Sequence, residues 1–224
     1  MSAGWYLSGT DTGIGKTYVA CALVRALVAE GAPVRAMKPV ASGANETTHG
    51  LRNDDALALL EALPAPKPSY ADVNPYALRQ AIAPHLAAAI DGVSIDPAAI
   101  ASRFRSLASD GATMVIEGVG GWSVPLGGDA MQSDLVRALG LPVLVVVGLR
   151  LGCINHALMT ARAIRADRCA FGGWIGNRID PDLAHADDVI ATIAKYLGQP
   201  VAIVARDGAL DAAALATLRL ADDS

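Results

Sequence analysis

Six short, continuously apolar runs, separated by stretches with helical periodicity, constrain the fold of this 224-residue chain most strongly. A strand that is buried on both faces has this character, because neither of its sides meets water. Regular alternation of strands and helices is typical of a mostly parallel sheet with helices on both faces. The sequence therefore predicts one α/β domain over residues 1–224, with strands at residues 4–9, 33–39, 112–118, 141–148, 169–177 and 199–204.

Composition and charge exclude several classes of protein. Apolar residues make up 53% of the chain, enough for a sizeable core, and the formal net charge is −4 without a run of Lys or Arg. Nucleic acid is therefore not an expected partner. The longest strongly apolar stretch, residues 139–149, is far shorter than the roughly 20 residues that cross a membrane.

The beginning of the chain and its cysteines point to a cytoplasmic protein. The first predicted strand starts almost at the N-terminus, which argues against a secretory leader. Cys21, Cys153 and Cys169 are widely spaced and form no paired metal-binding pattern. We expect them to be reduced thiols.

The loop after the first predicted strand reads GTDTGIGKT, from Gly9 to Thr17. It resembles a phosphate-binding loop, although five residues rather than four separate the outer glycines. Backbone N–H groups of such a loop face phosphate oxygens at the start of a helix. Lys16 would reach the β- and γ-phosphates and Thr17 would hold Mg²⁺. The loop therefore predicts a P-loop NTPase-like fold that binds a nucleotide.

Charged residues follow two other predicted strands. Glu117 ends one of them, and at the carboxyl edge of the sheet we expect it to hold Mg²⁺, directly or through water. Lys38 ends another, where both a functional role and a solvated surface charge remain open. Of Asp54 and Asp55, one is expected to cap a helix and the other to bind the metal.

Two further segments attract attention. Residues 39–112 form an unusually long, proline-rich connection, which we interpret as a lid-like insertion with about three helices. Gly152 to Ile154 indicate a tight start of a helix that has Asn155 in its first turn. Free N–H groups there favour an anion site, with an ordinary helix cap as the alternative.

These motifs together resemble the dethiobiotin synthetase family. Besides the loop, the matching segments are KPVASG (38–43), RNDDALAL (52–59), VNPY (73–76), APH (83–85), EGVGGW (117–122), LGCINHALMTA (151–161) and GWIGN (173–177). They occur in order over about residues 4–180. The resemblance implies an ATP-dependent ligase that forms the ureido ring of dethiobiotin from 7,8-diaminopelargonate and CO2, releasing ADP and phosphate, in biotin biosynthesis.

The resemblance also implies a role for individual residues. Lys38 would be the catalytic lysine, while Thr17, Asp55 and Glu117 would surround Mg²⁺. The implied nucleotide contacts are Gly13, Ile14, Gly15, Lys16, Thr17, Tyr18, Asp55, Glu117, Gly118, Val119, Gly120, Asn177 and Arg178, with Asn177 reading the adenine. The implied substrate contacts are Thr12, Ser42, Gly152, Cys153, Ile154 and Asn155. The last four would come from the neighbouring subunit of a homodimer with a shared active site.

The chain departs from the family pattern at two places. Val119 stands where the family has Ala, beside the phosphate site. Near the C-terminus, PVAIVARDGALD at residues 200–211 replaces a Gly-x-Ile-Pro segment, so the side-chain roles around residues 205–207 cannot be carried over. Selectivity for the base is thus not predicted.

Two other classes of protein share the fold, and Asp11 bears on one of them. A dimeric switch ATPase of the partitioning type has a signature lysine five residues before the lysine of its Gly-Lys pair, where this chain has Asp11. A glutamine-using amide synthetase would need a glutaminase Cys/His pair, which is not visible. Asp11 itself has two open interpretations: it attracts a cationic diamine, or it holds the extended loop by hydrogen bonds.

Overall fold

The computed structural model describes residues 4–205 and Leu210. Its strands are β1 (Gly4–Gly9), β2 (Val34–Met37), β3 (Val40–Ser42), β4 (Asn45–Thr47), β5 (Gly50–Arg52), β6 (Tyr76–Leu78), β7 (Thr113–Glu117), β8 (Pro125–Gly127), β9 (Ala130–Met131), β10 (Val143–Gly148), β11 (Phe171–Asn177) and β12 (Ala202–Val204). Its helices are α1 (Lys16–Ala29), α2 (Asp54–Ala62), α3 (Tyr70–Val73), α4 (Pro84–Ile90), α5 (Pro97–Leu107), α6 (Gln132–Leu139), α7 (Cys153–Ala166) and α8 (Ala186–Leu197).

Six parallel strands form the main sheet, in the order β12-β11-β10-β1-β7-β2. Each of the six predicted apolar runs contains one of these strands. The expectation of a parallel α/β sheet is therefore confirmed.

Both faces of the sheet are buried, as the continuous apolar runs predict. Along β10, Val143, Val145 and Val147 pack into one hydrophobic cluster, with residues of α4 to α8. Leu144 and Val146 point to the opposite face and pack into a second cluster, with residues of α1 to α3. Successive side chains of a strand alternate between faces, so this strand joins two cores.

The register of the strands brings the predicted site residues to one edge. Leu7 pairs with Glu117 in the sheet, and Met37, which directly precedes Lys38, pairs with Ile116. The loop after β1 leaves the sheet at the same carboxyl edge. After β7 the chain crosses from one side of β1 to the other, and ligands of open α/β sheets bind at such switch points.

The connection between β2 and β7 holds four helices, so the expected number of three is wrong. The additional helix is α3, a single turn of four residues that Ser69 caps by accepting a hydrogen bond from the N–H of Asp72. One turn is too short for an apolar periodicity to reveal it. Two pairs of short strands, β3 with β6 and β4 with β5, also lie in this connection.

Across the part of the chain described above, no helix combines the length and the apolar character that a membrane span requires. Cys21, Cys153 and Cys169 are buried, free cysteines.

The double-sided core predicts which leucines stabilise the fold. Leu144 in β10 is 0% exposed, whereas Leu86 in α4 is 50% exposed. We expect Leu144→Ala to lower the free energy of unfolding by about 2–5 kcal/mol, because it leaves a cavity. Leu86→Ala should change it by less than about 0.5 kcal/mol. Urea unfolding at one fixed protein concentration measures both, and equal losses would contradict the packing described.

Candidate active site

The loop from Thr10 to Gly15 joins β1 to α1 and requires glycine at its end. Gly15 caps α1 with a left-handed backbone, φ 81°. A Cβ atom at this position would lie 2.3 Å from Nδ2 of Asn177. The Asn177 amide in turn donates a hydrogen bond to the carbonyl oxygen of Ile14, at 2.9 Å. The end of β11 thereby holds the loop in place from the side.

Lys16 is folded back across the loop. Its ammonium donates a hydrogen bond to the carbonyl oxygen of Asp11, at 3.0 Å, and the residue is only 7% exposed. Burial and the nearby charge of Lys38 lower the pKa of Lys16 to about 8, against the opposing attraction of the neighbouring carboxylates. Lys16 is therefore a cation at neutral pH that has lost much of its hydration, suited to an anionic ligand.

Lys38 lies between two carboxylates at the end of β2. Its Nζ atom is 2.5 Å from Oε1 of Glu117 and 3.0 Å from Oδ2 of Asp55. Burial opposes the charged form, but the two carboxylates outweigh it and raise the pKa of Lys38. Because the residue is 3% exposed, the interpretation as a solvated surface charge is wrong.

Glu117 and Asp55 present oxygen atoms together with the Thr17 hydroxyl. Thr17 Oγ1 donates a hydrogen bond to Glu117 Oε1, at 2.8 Å. Burial opposes ionisation of Asp55, but Lys38 and the Thr17 hydroxyl outweigh it and lower its pKa. Glu117 Oε2 is buried and accepts no hydrogen bond from residues 4–205 or Leu210. A hydroxyl and two carboxylates, one of them with an unused buried oxygen, are the hard donors that Mg²⁺ prefers, so these residues fit a magnesium site.

A cleft of about 500 Å³ opens over the loop. It brings together most of the predicted nucleotide residues and two of the predicted substrate residues. Its lining is Thr12, Gly13, Gly15, Lys16, Thr17, Tyr18, Lys38, Ser42, Asp55, Glu117, Val119 and Gly120. Ser42 Oγ is buried there without a hydrogen-bond partner in the described ranges.

The remaining predicted residues lie outside this cleft. Arg178 follows β11, pairs through its guanidinium with Asp187 at 2.9 Å, and donates its backbone N–H to Val204. Gly152, with φ 92°, caps α7, and Cys153, Ile154 and Asn155 form the first turn of that helix. Of the divergent segment around residues 205–207, residues 206 and 207 lie outside the described residues.

We expected Asp54 or Asp55 to cap α2, and this expectation is wrong. The N-cap residue is Asn53. Its Oδ1 atom accepts hydrogen bonds from the backbone N–H groups of Asp55 and Ala56, at 3.1 and 3.3 Å. This leaves the Asp55 carboxylate available for Lys38. Asn is among the preferred N-cap residues, so an Asn directly before a helical pattern was the signal that the sequence offered.

Asp11 joins the loop to the start of α7. One carboxylate oxygen accepts the N–H of Thr12 at 2.7 Å, and the other lies 2.5 Å from the guanidinium of Arg150. Arg150 lies between β10 and α7, 139 residues further along the chain than Asp11. No pattern in the sequence predicts this contact. The geometry favours the loop-holding interpretation of Asp11.

A glycine-rich loop between a parallel strand and a helix, with a buried lysine and magnesium-type donors, defines a P-loop nucleotide-binding protein. A solved ParA family ATPase from Chlorobium tepidum shares this fold, with a TM-score of 0.57 over 100% of this chain and 95% of that chain. The two sequences are 15% identical, so this similarity concerns the fold alone.

Sequence comparison is more specific. A family model described as an AAA domain matches residues 3–214. An ATP-dependent dethiobiotin synthetase from Xanthomonas oryzae is 50% identical over 196 residues, which cover 88% of this chain and 87% of the relative. One from Aromatoleum aromaticum is 47% identical over 218 residues, covering 96% of each. The chain belongs to the family of ATP-dependent dethiobiotin synthetases, which confirms the resemblance and the expected ATP-dependent ligase class.

The contacts of Asp11 generate a prediction. Asp11→Ala removes the contacts with Thr12 and Arg150, whereas Asp11→Asn keeps an acceptor for the N–H of Thr12. We expect the Kd for ATP to rise about three- to tenfold in Asp11→Ala and less in Asp11→Asn, because exposed ion pairs contribute little. Calorimetric titration at two salt concentrations measures this. A salt-sensitive rise in the KM for a diamine, with ATP binding unchanged, would instead support electrostatic attraction of the substrate.

Proposed function

We propose that the protein forms dethiobiotin from 7,8-diaminopelargonate, CO2 and ATP, releasing ADP and phosphate. The observation that carries the proposal is the cleft in which two buried lysines, Lys16 and Lys38, lie beside the phosphate loop. This cleft belongs to a chain that is 50% identical to a dethiobiotin synthetase. We further propose that the reaction takes place in the cytoplasm.

The proposed chemistry needs little covalent participation of the protein. A free amine of the substrate and CO2 combine into a carbamate, with loss of a proton to solvent. A carbamate oxygen attacks the γ-phosphorus of ATP, and ADP leaves. The second amine then attacks the carbonyl carbon of the mixed carbamic–phosphoric anhydride, its surplus proton is lost, phosphate departs and the ring closes.

The protein would contribute position and positive charge. Phosphoryl transfer depends on alignment and on neutralising the charge that builds up on the oxygens. Lys16 and Lys38 are ammonium groups with restricted hydration, because the two residues are only 7% and 3% exposed. We propose that Lys16 binds the β- and γ-phosphates and that Lys38 acts on the reacting carbamate.

Thr17, Asp55 and Glu117 would hold the magnesium ion. When bound, Mg²⁺ would supply charge neutralisation on the phosphate oxygens. The buried Oε2 of Glu117, free of hydrogen bonds within the described residues, supports this assignment.

The other nucleotide contacts remain as the resemblance implies them. Asn177 is proposed to lie at the adenine, with Arg178 beside it. Support comes from the position of Asn177, whose amide contacts the Ile14 carbonyl at the end of the loop.

Residues 39–112 would cover the substrate as a lid within a single domain spanning residues 1–224. Two lining residues of the cleft, Ser42 and Asp55, come from this segment. We propose that Ser42 and Thr12 contact the reacting end of the diamine, since both lie at the same cleft as Lys38.

A homodimer would complete the site. The substrate carries a carboxylate at the far end of a long apolar chain, so the carboxylate needs an anion site away from the phosphates. The backbone from Gly152 to Ile154 and the Asn155 amide lie at the start of a 14-residue helix. Because these residues do not line the cleft of their own chain, we propose that they bind the substrate of the neighbouring subunit.

The switch-ATPase alternative is less well supported. At the position where that class has its signature lysine, Asp11 is paired with Arg150 inside the same chain. An acid in this position cannot bind phosphate in place of a lysine.

Turnover with and without each substrate tests the proposed function. Phosphate release should require both the diamine and bicarbonate, and mass spectrometry should detect dethiobiotin. Lys38→Ala should lower kcat by about a hundredfold or more while changing ATP affinity less, because its charge acts on the transition state. Lys67→Ala, which removes a lysine paired with Glu61 at the surface of the insertion that follows Lys38, is the matched control. A rate of ATP hydrolysis that is the same with and without the diamine would exclude the proposal.

Mixed dimers test the shared site. Asn155→Ala should weaken diamine binding and leave ATP binding intact, whereas Lys38→Ala should lose turnover. At a diamine concentration too low to saturate Asn155→Ala, mixing the two variants should restore activity, because one of the two sites in each mixed dimer is then complete. Mixed dimers without activity, or an active monomer in sedimentation experiments, would refute the shared site.

A further inference from the structure

The backbone of Lys38 is held from outside the main sheet. Lys38 directly follows the last residue of β2. Its N–H donates a hydrogen bond to the carbonyl oxygen of Val73, at 2.8 Å. Its carbonyl oxygen accepts one from Nδ2 of Asn74, at 2.6 Å. Both polar groups of this peptide segment are thus bound by two consecutive residues of the insertion.

Asn74 is itself fixed by Tyr70. The Tyr70 hydroxyl donates to Oδ1 of Asn74 at 2.8 Å and accepts the backbone N–H of Asn53 at 2.7 Å. The guanidinium of Arg52 stacks on the Tyr70 ring, 4.2 Å from its centroid. Since Asn53 and Asn74 are 6% and 3% exposed, loss of the hydroxyl would leave buried polar groups unpaired.

Asn53 carries the connection to two further residues of the cleft. Its Oδ1 atom accepts the N–H of Asp55, and its Nδ2 atom donates to the carbonyl oxygen of Ser42, at 3.3 Å. A single chain of hydrogen bonds therefore runs from the backbone of Lys38 through Asn74, Tyr70 and Asn53 to Asp55 and Ser42.

We propose that Tyr70 and Asn74 are positioning residues, which hold Lys38 in register with Asp55 and Ser42 without lining the cleft themselves. The inference rests on the proposed function for the roles of these three residues. The Tyr70 hydroxyl is the central group of this chain of hydrogen bonds, because it hydrogen-bonds both to Asn74, which binds Lys38, and to Asn53, which caps α2.

Removing one hydroxyl tests the proposal. Tyr70→Phe keeps the ring and its stacking on Arg52 but breaks both hydrogen bonds. We expect kcat to fall about ten- to a hundredfold, as small misplacements of catalytic groups do, with the KM for ATP within about threefold of the original value. Tyr76→Phe is the matched control, because its hydroxyl also lies in the insertion but accepts the N–H of Asp96 instead.

A second readout separates positioning from general stability. In the ligand-free protein, hydrogen exchange of peptides covering Lys38 and Asn53 should be faster in Tyr70→Phe and unchanged in Tyr76→Phe. Should Tyr70→Phe fail to fold, Asn74→Asp takes its place, since it keeps the acceptor for Tyr70 and removes the donor to Lys38. For Asn74→Asp we expect the same fall in kcat and faster exchange at Lys38, with exchange at Asn53 unchanged, because its bond to Tyr70 remains.

The outcomes separate this inference from the proposed function. If the original protein does not convert the diamine, the proposed function fails, and the exchange measurements still decide whether Tyr70 orders Lys38 and Asn53. Unchanged exchange and kcat in Tyr70→Phe would overturn the inference. Equal losses in Tyr70→Phe and Tyr76→Phe would overturn it too, because they would reflect loosening of the whole insertion.

Discussion

The buried ammonium of Lys38 between Glu117 and Asp55 is the interaction on which the rest of the site depends. Lys38 and Glu117 are buried charged side chains, which are costly unless each is paired with good geometry, and the partly exposed Asp55 completes the pairing. The pairing requires that the end of β2, the end of β7 and the first turn of α2 meet at one point. Parallel neighbours in the sheet supply the first two, and the insertion must bring the third. The charge cluster thus explains why the insertion has to be ordered near the sheet.

Sequence reasoning succeeded where short-range patterns carry the information. Continuous apolar runs revealed all six strands of the main sheet, and the Gly-Lys-Thr sequence placed the loop between β1 and α1. Strand ends of a parallel sheet share an edge, and Lys38 and Glu117, each expected at the carboxyl end of its strand, lie there with Nζ and Oε1 2.5 Å apart. Their roles in catalysis and metal binding stay predictions.

Contacts between segments that are distant along the chain could not be predicted from the sequence. Arg150 meets Asp11 only through the folded sheet, and no spacing rule connects residues 139 positions apart. The single-turn helix α3 was not predicted, because four residues are too few to show a helical periodicity of apolar side chains. Its Tyr70 and the neighbouring Asn74 gain their significance from partners on other elements. The cap of α2 could have been predicted from the sequence, because Asn is a preferred N-cap residue. Asp54 and Asp55, which follow Asn53, are of preferred types too, so residue type alone does not choose among the three.

The central position of β1 also has a consequence for the synthesis of the protein. Within residues 4–205, β1 pairs with β7 and β10, which end at Glu117 and Gly148. A ribosome that adds roughly 5–20 residues per second needs several seconds to reach them. During this interval β1 has neither of its neighbours in the sheet, and the nucleotide loop that follows it lacks the sheet edge on which it is built. The strand β1 thus depends on strands that are translated after it, and until they appear its unpaired edges are open to association with other chains.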